Sequence, residues 1–496
     1  MYRTVLSTRS KTVIVLRMTN RFMSLLDTGA AGSVRSGYVL LSNSMASWLA
    51  AFMTTAINLA LPYIRDDFDL GAVSIGWLSL GYMLTAAMFI VTFVQVGDRV
   101  GRRLVFLGGL TVFAISSIIM AFADSYLPLL ALRLCHGLGA SMLFSTSMDM
   151  VTSAYPANRR GLAMGVSVGA AYLGMTMGPV LGGLMVDSFG WRSIFMLSGA
   201  AAALILVLDL SLLRRAEWRE ARAAGSDWTG SLVYAAALAA FLVGLSWLPL
   251  WRGVTLLLVG ACGLAFFVWW ESRVPHPVVE VRLFRSNRVF ALSNLTALIS
   301  YASIWGQNFL MPFYLVLIKG LDAREAGLLL LTGVALQCLV SPFGGRLSDR
   351  IEPRWVASWG MLLCVAGLLM FSFLRTDTPY WYIILALCVL GLGYGFFSGP
   401  NQSSIMGSVE KRYLGFASGS TSTVRTIGIT LSVAGATLVM ALIVGRQDIT
   451  PADYPNLLIA MRTTFMIYAG LCALGTLVSL VRGNMPVHDH YPPTVT

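Results

Sequence analysis

Residues 165–183 read GVSVGAAYLGMTMGPVLGG, a stretch in which small residues recur at helical spacing. Every fourth position from 170 to 182 is small: Ala170, Gly174, Gly178 and Gly182. In a helix these positions form one flat stripe, against which a second backbone can lie at close range. Pro179 removes one backbone donor inside the stripe and favours a bend. The stretch predicts a membrane helix pressed against a neighbouring helix.

The composition around this stretch is that of an integral membrane protein. The chain has 496 residues, of which 57% are hydrophobic and 12% charged, and its mean hydropathy is +0.74. Such a chain is suited to lipid rather than water. Apolar stretches of roughly 20 residues, the length that crosses a bilayer, are predicted near 38–62, 74–96, 104–123, 127–150, 160–184, 191–212, 230–248, 253–271, 288–310, 325–343, 355–374, 380–400, 414–444 and 457–481. We therefore predict an all-α protein with fourteen transmembrane helices.

The charge distribution predicts an orientation. The net charge is +12, but most of the 35 lysines and arginines lie before the first span, after the last, or in alternate loops between. This bias is typical of cytoplasmic segments and not of a nucleic-acid surface. We expect a multi-pass protein of the bacterial inner membrane with both termini in the cytoplasm, no binding of nucleic acid, and no cleavable signal peptide before the first span.

A repeated loop divides the chain into halves. The sequence VQVGDRVGRR at 94–103 follows the second span, and GRLSDRIEPR at 345–354 follows the tenth. Duplicated halves with a substrate site between them are expected for alternating access. The predicted divisions are a cytoplasmic tail at 1–37, a six-helix bundle at 38–212, an inserted helix pair with basic flanks at 213–287, a second six-helix bundle at 288–481 and a cytoplasmic tail at 482–496.

The first copy of the loop combines an acid with several arginines, which suits a gate that opens and closes through ion pairs. Asp98 is expected where the third helix begins, a favourable place for a carboxylate. Arginines beside it offer forked donors for carboxylates on the opposite half. The alternative is that these arginines only set the orientation of the protein in the membrane. The predicted gate residues of the two copies are Asp98, Arg99, Gly101, Arg102 and Arg103, and Asp349 and Arg350.

Several motifs together resemble the fourteen-helix drug:proton antiporter family of the major facilitator superfamily. The fifth-helix signature of that family is matched by Gly165, Gly174, Gly178, Pro179, Gly182 and Gly183. The gate loop also resembles the family pattern, with Val94 at its leading glycine. The arginine motif of helix four is matched by Arg133 and Gly137, with His136 in place of the usual glutamine. The resemblance implies the major facilitator fold, with two six-helix bundles and two inserted helices, and proton-linked drug export.

Arg133 and His136 are the predicted proton-coupling residues. Ionisable side chains inside a membrane are costly and usually functional. His136 follows Arg133 by one helical turn and can titrate near neutral pH. The resemblance gives Arg133 its role in proton coupling. The alternative for both residues is a structural position near the membrane surface.

The first helix departs from the family pattern. The family has an acid five residues before the asparagine of its NVALP string, and here the string begins at Asn58 and position 53 is Met53. The absence of this acid weakens the case for export of cations. A polar and aromatic stripe remains on helix nine, with counterparts on helices one and thirteen: Asn294, Tyr301, Trp305 and Asn308, with Trp48, Thr55, Asn58 and Arg425. It predicts either contacts between helices or a cavity for a planar, neutral or anionic aromatic solute.

These features predict a secondary transporter of small organic molecules, most simply a proton-linked exporter of drugs or toxic metabolites. The alternatives are uptake of an aromatic nutrient such as riboflavin and, more remotely, a membrane sensor that does not transport. We expect no enzymatic activity, because the sequence shows no phosphate-binding loop or catalytic triad. Neither a cofactor nor a metal is expected. The expected partners are a small-molecule substrate, protons and lipid, and the protein is expected to act as a monomer.

Overall fold

The computed structural model describes residues 33–155, 160–212, 227–274, 279–348, 350–410, 413–445 and 449–483. Within these ranges the chain is almost entirely helical, and fourteen helices are long and apolar enough to cross a membrane. They are α1 Ser33–Phe68, α2 Ala72–Val100, α3 Arg102–Met120, α4 Tyr126–Ala154, α5 Arg160–Phe189, α6 Arg192–Leu212, α7 Trp228–Ser246, α8 Trp251–Glu271, α9 Arg288–Ile318, α10 Ala323–Ser348, α11 Pro353–Ser372, α12 Tyr380–Gly407, α13 Leu414–Ile443 and α14 Tyr454–Val481.

The predicted fold class and the fourteen spans are confirmed. Several helices extend well beyond their apolar segments: α1 was expected at 38–62 but continues to Phe68, and α12 continues past 400 to Gly407. Apolar length marks only the part of a helix that lies in hydrocarbon. Polar turns beyond it remain helical because water or neighbouring side chains satisfy their ends.

Helix packing in the second half repeats that in the first. In the first half α1 packs on α5, α4 packs on both α2 and α3, and α3 packs on α6. In the second half α9 packs on α13, α12 packs on both α10 and α11, and α11 packs on α14. Each pairing recurs eight helices later. The halves meet where α5 packs on α10 and α2 on α13.

The inserted pair, α7 and α8, packs against itself and reaches both halves through α7. The hydroxyl of Tyr234 on α7 donates to the Ala87 carbonyl of α2 at 3.1 Å. Asp227 caps the start of α7 by accepting from the Gly230 amide at 2.8 Å. The same carboxylate accepts from the Trp270 indole at 2.7 Å and so joins the two helices. The exact boundaries of the predicted divisions stay predictions.

Helix α9 is irregular in its middle. It runs as Arg288–Ile304, resumes as Gly306–Phe313 and ends in a wide turn at Tyr314–Ile318. Gly306 is required there, because a Cβ atom at this position would collide with the Tyr468 ring. Pro312 has no N–H to donate to the carbonyl four residues earlier, which belongs to Asn308. The irregularity leaves polar groups of α9 available at the centre of the bundle.

The two ends of the bundle differ. Fourteen alternating helices place the start of α1 and the end of α14 at one end, which we call the termini end, and the opposite one is the far end. At the far end the halves touch: a Cβ on Gly183 would collide with the Ala323 carbonyl, and one on Gly76 with Thr437. At the termini end the space beside Gly165 is empty to 4 Å. The halves are therefore packed together at the far end, whereas Gly165 at the termini end has open space beside it.

Candidate functional site

A central cavity with a volume of about 40 Å³ lies between the two halves. Helices α1, α5, α9, α10 and α12 all contribute to its wall. Its polar and aromatic lining residues are Thr55, Tyr172, Trp305, Gln307, Asn308, Gln337 and Tyr394. The lining combines flat aromatic surfaces with amide groups. A lining of this composition suits a small planar solute.

A second and smaller cavity, with a volume of about 10 Å³, adjoins the first. Trp305 and Asn308 line both cavities. The remaining polar lining of this side cavity is supplied by Thr54, Asn58, Ser79 and Arg133. None of the described residues that line either cavity is acidic. The charge of the combined site therefore comes from a single arginine.

Arg133 is almost completely buried, with 1% of its surface exposed. Its Nε donates to the Leu78 carbonyl at 2.9 Å, and its Nη1 lies 3.3 Å from Nδ1 of His136. The guanidinium carbon stands 4.6 Å from the centre of the Tyr82 ring, a cation–π contact. Among the described residues Nη2 has no hydrogen-bond partner. The guanidinium of Arg133 is thus positively charged, and only some of its N–H donors have hydrogen-bond partners.

His136 is fixed by its two neighbours. A guanidinium can only donate, so Nδ1 of His136 accepts from Arg133 and the ring proton lies on Nε2. That nitrogen stands 3.0 Å from Oγ of Ser117 on α3 and can donate to it. The ring is also packed 3.9 Å from the centre of Phe113. His136 therefore faces α3, behind Arg133, and lines neither cavity.

The predicted polar stripe divides into two groups. Trp305 and Asn308 line the cavities together with Thr55 and Asn58 of α1. Asn294 instead accepts from the Ser420 hydroxyl of α13 at 3.1 Å and lines neither cavity. Part of the stripe thus lines the cavities, and part of it makes contacts between helices.

Three other predicted residues stand outside the two cavity walls. Trp48 stacks on Phe52 with ring centres 5.3 Å apart. Tyr301 packs edge-on against the cavity residue Tyr394, with centres 6.1 Å apart. Arg425 on α13 lines neither cavity. Of the three, Tyr301 is the one with a ring contact to a lining residue among those described.

Sequence reasoning missed four lining residues: Tyr172, Gln307, Gln337 and Tyr394. A weak signal existed for two of them. Tyr172 is the one aromatic residue inside the fifth-helix glycine string, and Gln337 is an isolated amide in the apolar tenth span. Side chains that could donate or accept inside a membrane segment are costly unless they are used.

The gate loop turns sharply at Gly101, whose φ of +114° suits glycine and few other residues. Asp98 was expected where α3 begins, but it lies in the last turn of α2. Its carboxylate accepts from Nη2 of Arg102 at 3.1 Å, and Nε of Arg102 lies 3.6 Å from Asp149 on α4. Arg99 stands over the Trp228 ring of α7 at 5.7 Å.

Both of these carboxylates, Asp98 and Asp149, belong to the same half as Arg102. Arg103 is half-buried in the first turn of α3. In the second copy Arg350 is exposed, while Asp349 lies outside the described residues.

The fifth-helix motif packs as a stripe along most of its length. Cβ atoms at Gly174, Gly178 and Gly182 would collide with Trp48, Thr55 and Ala56 of α1 respectively. Gly183 meets Ala323 of the opposite half, and the carbonyl of Pro179 lies against Gly327 of α10. Gly165, the first residue of the motif, has open space beside it. One motif thus serves both the interior of a half and the seal between halves.

Met53, which replaces the expected acid, points away from the cavities. Its sulfur accepts from the Ser198 hydroxyl of α6 at 2.8 Å, inside the first half. The same α1–α6 interface contains a buried acid that was not among the predicted site residues: Asp209 is 0% exposed and accepts from the Ser42 hydroxyl at 2.7 Å. The chain therefore retains a buried carboxylate between α1 and α6, remote from the cavity lining.

A buried arginine was also missed at the termini end of the second half. Arg482 follows α14 and donates to Oδ1 of Asn401 on α12 at 2.9 Å. Burial lowers the pKa of its guanidinium to about 10, which leaves it charged at neutral pH. Its effect is to fasten the end of α14 to α12.

Comparison with known proteins agrees with this architecture. The family model described as "Major Facilitator Superfamily" matches residues 44–433 and 294–494. A bacterial homologue of the lysosomal transporter Spinster, solved in an inward-facing and unoccupied conformation, superposes with a TM-score of 0.66 at 17% identity, covering 90% of this chain and 96% of that one. That likeness concerns the fold alone.

Curated relatives cover most of the chain. "Multidrug resistance protein Stp" of Mycobacterium tuberculosis is 32% identical over 79% of this chain and 74% of its own. "Riboflavin transporter RibZ" of Clostridioides difficile is 27% identical over 87% of this chain and 95% of its own. "Tetracenomycin C resistance and export protein" of Streptomyces glaucescens is 27% identical over 83% and 77% respectively.

Proposed function

Because the chain belongs to the major facilitator superfamily, we propose that this membrane transporter exports planar aromatic solutes, in the class of drugs and toxic metabolites, in exchange for protons. The observation that carries the proposal is the central cavity between the halves, lined by Trp305, Tyr172 and Tyr394 together with amide side chains. Aromatic side chains stack on flat solutes and amides orient them. Relatives named for multidrug resistance and tetracenomycin C export support the direction.

The transport cycle in this proposal is alternating access. The termini end is assigned to the cytoplasm because it carries most of the basic residues, so the structure corresponds to a conformation open to the cytoplasm. Closing the termini end and opening the far end would expose the same cavity to the outside. The seal formed by Gly183 and Ala323 is then one that must open in each cycle.

Lipophilic dications are poor substrates in this proposal. None of the described residues lining the cavities is acidic, so a desolvated cation would find no counter-ion there. Burial of an unpaired charge costs several kcal/mol. Proton coupling is assigned to Arg133 and His136, which contact each other and connect the side cavity to α3.

The test uses purified protein in proteoliposomes with an imposed pH gradient. We expect flux of a fluorescent aromatic solute that depends on the gradient and collapses with a protonophore. Arg133→Ala and His136→Ala should each reduce the gradient-dependent part. Strong proton-driven flux of a dication, unchanged in both variants, would contradict the assignment of charge and coupling.

Orientation is tested separately by fusion of alkaline phosphatase after Arg103. The enzyme is active only outside the cytoplasm, so an active fusion would contradict the assignment of the termini end.

A second candidate function is uptake of an aromatic nutrient. The relative named as a riboflavin transporter covers nearly the whole of both chains, and riboflavin is planar and uncharged. Growth of a riboflavin-requiring strain on low riboflavin separates the two functions. Rescue by this protein favours uptake, and absence of rescue alongside gradient-dependent export favours the first proposal.

A further inference from the structure

The hydrogen-bonding groups of the two adjoining cavities are not distributed evenly. Two residues that line the side cavity each carry a buried nitrogen with no partner among the described residues: Nη2 of Arg133 and Nε1 of Trp305, a residue that also lines the central cavity. Both can only donate. The amide of Asn308 stands between the cavities, with its Oδ1 accepting from Gln307 at 3.0 Å. The side cavity therefore presents donors and a positive charge.

The central cavity presents different groups. Oε1 of Gln307 and the hydroxyl of Tyr394 are buried there without a partner among the described residues. An amide oxygen accepts, and a phenol both donates and accepts. Buried polar groups left unpaired are destabilising and usually find a partner in a bound molecule or water. The two cavities thus suit a ligand that has an acceptor or negative charge at one end and a hydrogen-bond donor at the other.

We propose that the transporter recognises aromatic acids, with the carboxylate in the side cavity between Arg133 and Trp305 and the ring system in the central cavity, where a hydroxyl or N–H group of the ligand donates to Gln307. The inference rests on the proposed function and narrows it to one substrate class. Geometry supports this division, because Trp305 and Asn308 line both cavities and so connect the two subsites.

The charge at this subsite is not neutralised by the protein. The described contacts of the Arg133 side chain are a carbonyl, a histidine ring and an aromatic face, none of them acidic. A planar guanidinium with a free nitrogen suits the geometry of a carboxylate. An anion bound there would supply the missing counter-charge in a place where water is largely excluded.

The experiment compares two probes of the same shape, one with a carboxylate and the other with a neutral carboxamide. Hydroxynaphthoate and hydroxynaphthamide share a ring and a hydroxyl, and their affinities for the purified full-length protein are measured by isothermal titration calorimetry. We expect the carboxylate to bind about tenfold more tightly, the value of one charge-assisted hydrogen bond. Arg133→Gln should remove this preference and leave amide binding within about twofold, since glutamine can still donate to the Leu78 carbonyl.

Conservative variants separate recognition from folding. Arg133→Lys keeps the charge without the fork and should retain part of the preference. Trp305→Phe removes the indole N–H together with part of the ring surface and should weaken carboxylate binding about threefold. The controls are Arg462→Gln, at an arginine that also donates through Nε to a carbonyl, that of Ser372 at 3.0 Å, and Trp359→Phe, at an exposed tryptophan. Neither residue lines a cavity, so both controls should bind like the unmodified protein.

Three results would overturn the inference: equal affinity for the two probes, an equal loss of both in Arg133→Gln, or binding of neither. Transport of neutral aromatic solutes without preference for the acid would leave the proposed function standing and remove only this inference. Absence of gradient-dependent flux for every solute would instead remove the proposed function.

Discussion

The two ends of α5 have similar sequences and different surroundings. Toward the far end, Gly178, Gly182 and Gly183 are pressed against other backbones and side chains, whereas Gly165 and Gly169 near the termini end have nothing within 4 Å of where a Cβ would lie. Glycines of α10 and α13 at the termini end, Gly345 and Gly419, are equally free. Small residues are needed only where a surface must be approached closely.

The difference suggests two roles for the glycines of one helix. The packed glycines allow the close contacts seen in this conformation. In the alternating-access proposal, the free glycines allow close contacts in a second conformation, in which the termini end closes. Substitutions at the two ends should therefore affect different properties.

The largest effect is expected for Gly178→Leu. The new side chain would collide with Thr55 and the backbone of α1 inside one half, and overpacking of this kind costs about 1–3 kcal/mol or more. We expect a clear fall in the thermal unfolding temperature of the protein in detergent. Gly169→Leu is the matched control on the same helix, and an equal fall in both variants would contradict the comparison.

The next effect concerns the seal between halves. Gly183→Val should collide with the Ala323 carbonyl and shift the population toward a conformation open at the far end, because it disfavours only the closed state. The measurement is labelling of a Thr437→Cys reporter at the far end by a membrane-impermeant maleimide, which should become faster. The control is Gly470→Val, at a glycine with open space beside it. Gly190 at the far end also has open space beside it, but its positive φ would strain any other residue. Unchanged labelling in Gly183→Val would argue against the seal.

A smaller effect is expected at the open end. Gly169→Leu should leave the unfolding temperature nearly unchanged and reduce turnover several-fold, because the added side chain obstructs closure of the termini end. Initial rates of gradient-dependent flux in proteoliposomes provide the measurement. Full turnover in this variant would mean that the free glycines are not needed for the cycle.

A small change in stability is expected for Asp98→Asn. The carboxylate is partly exposed and pairs with Arg102, and a pair of this kind contributes about 0.2–1 kcal/mol. We nevertheless expect a fall in turnover with normal membrane insertion, since the pair orders the loop between α2 and α3. Asp377→Asn, at an exposed pair with Arg375, is the control. Normal turnover of Asp98→Asn would remove the gating role.

Much of the fold could be predicted from the sequence, while the site could be predicted only in part. Fourteen spans followed from apolar lengths, because the bilayer imposes its thickness on every helix. Thr55, Asn58, Trp305 and Asn308 were predicted as cavity candidates and do line the cavities. Gln337 and Tyr394 were missed, since an isolated polar residue in an apolar span does not reveal which way it faces.

The partners of charged residues could not be predicted either. Asp98 was expected to act across the halves, but in this conformation it pairs with Arg102 of its own half. Met53 faces Ser198 of α6 rather than a substrate. Helical spacing relates residues on one helix, whereas these pairings depend on how far apart two bundles stand.

The sequence by itself determined the membrane class, the number of helices, the duplication and the small-residue stripe of α5, because these follow from local composition and periodicity along one chain. Only the tertiary structure decided which glycines are packed and that Arg133 and Trp305 line one side cavity together. Those features depend on contacts between helices distant in sequence, such as α5 with α10, whose relative rotation and depth no local pattern specifies.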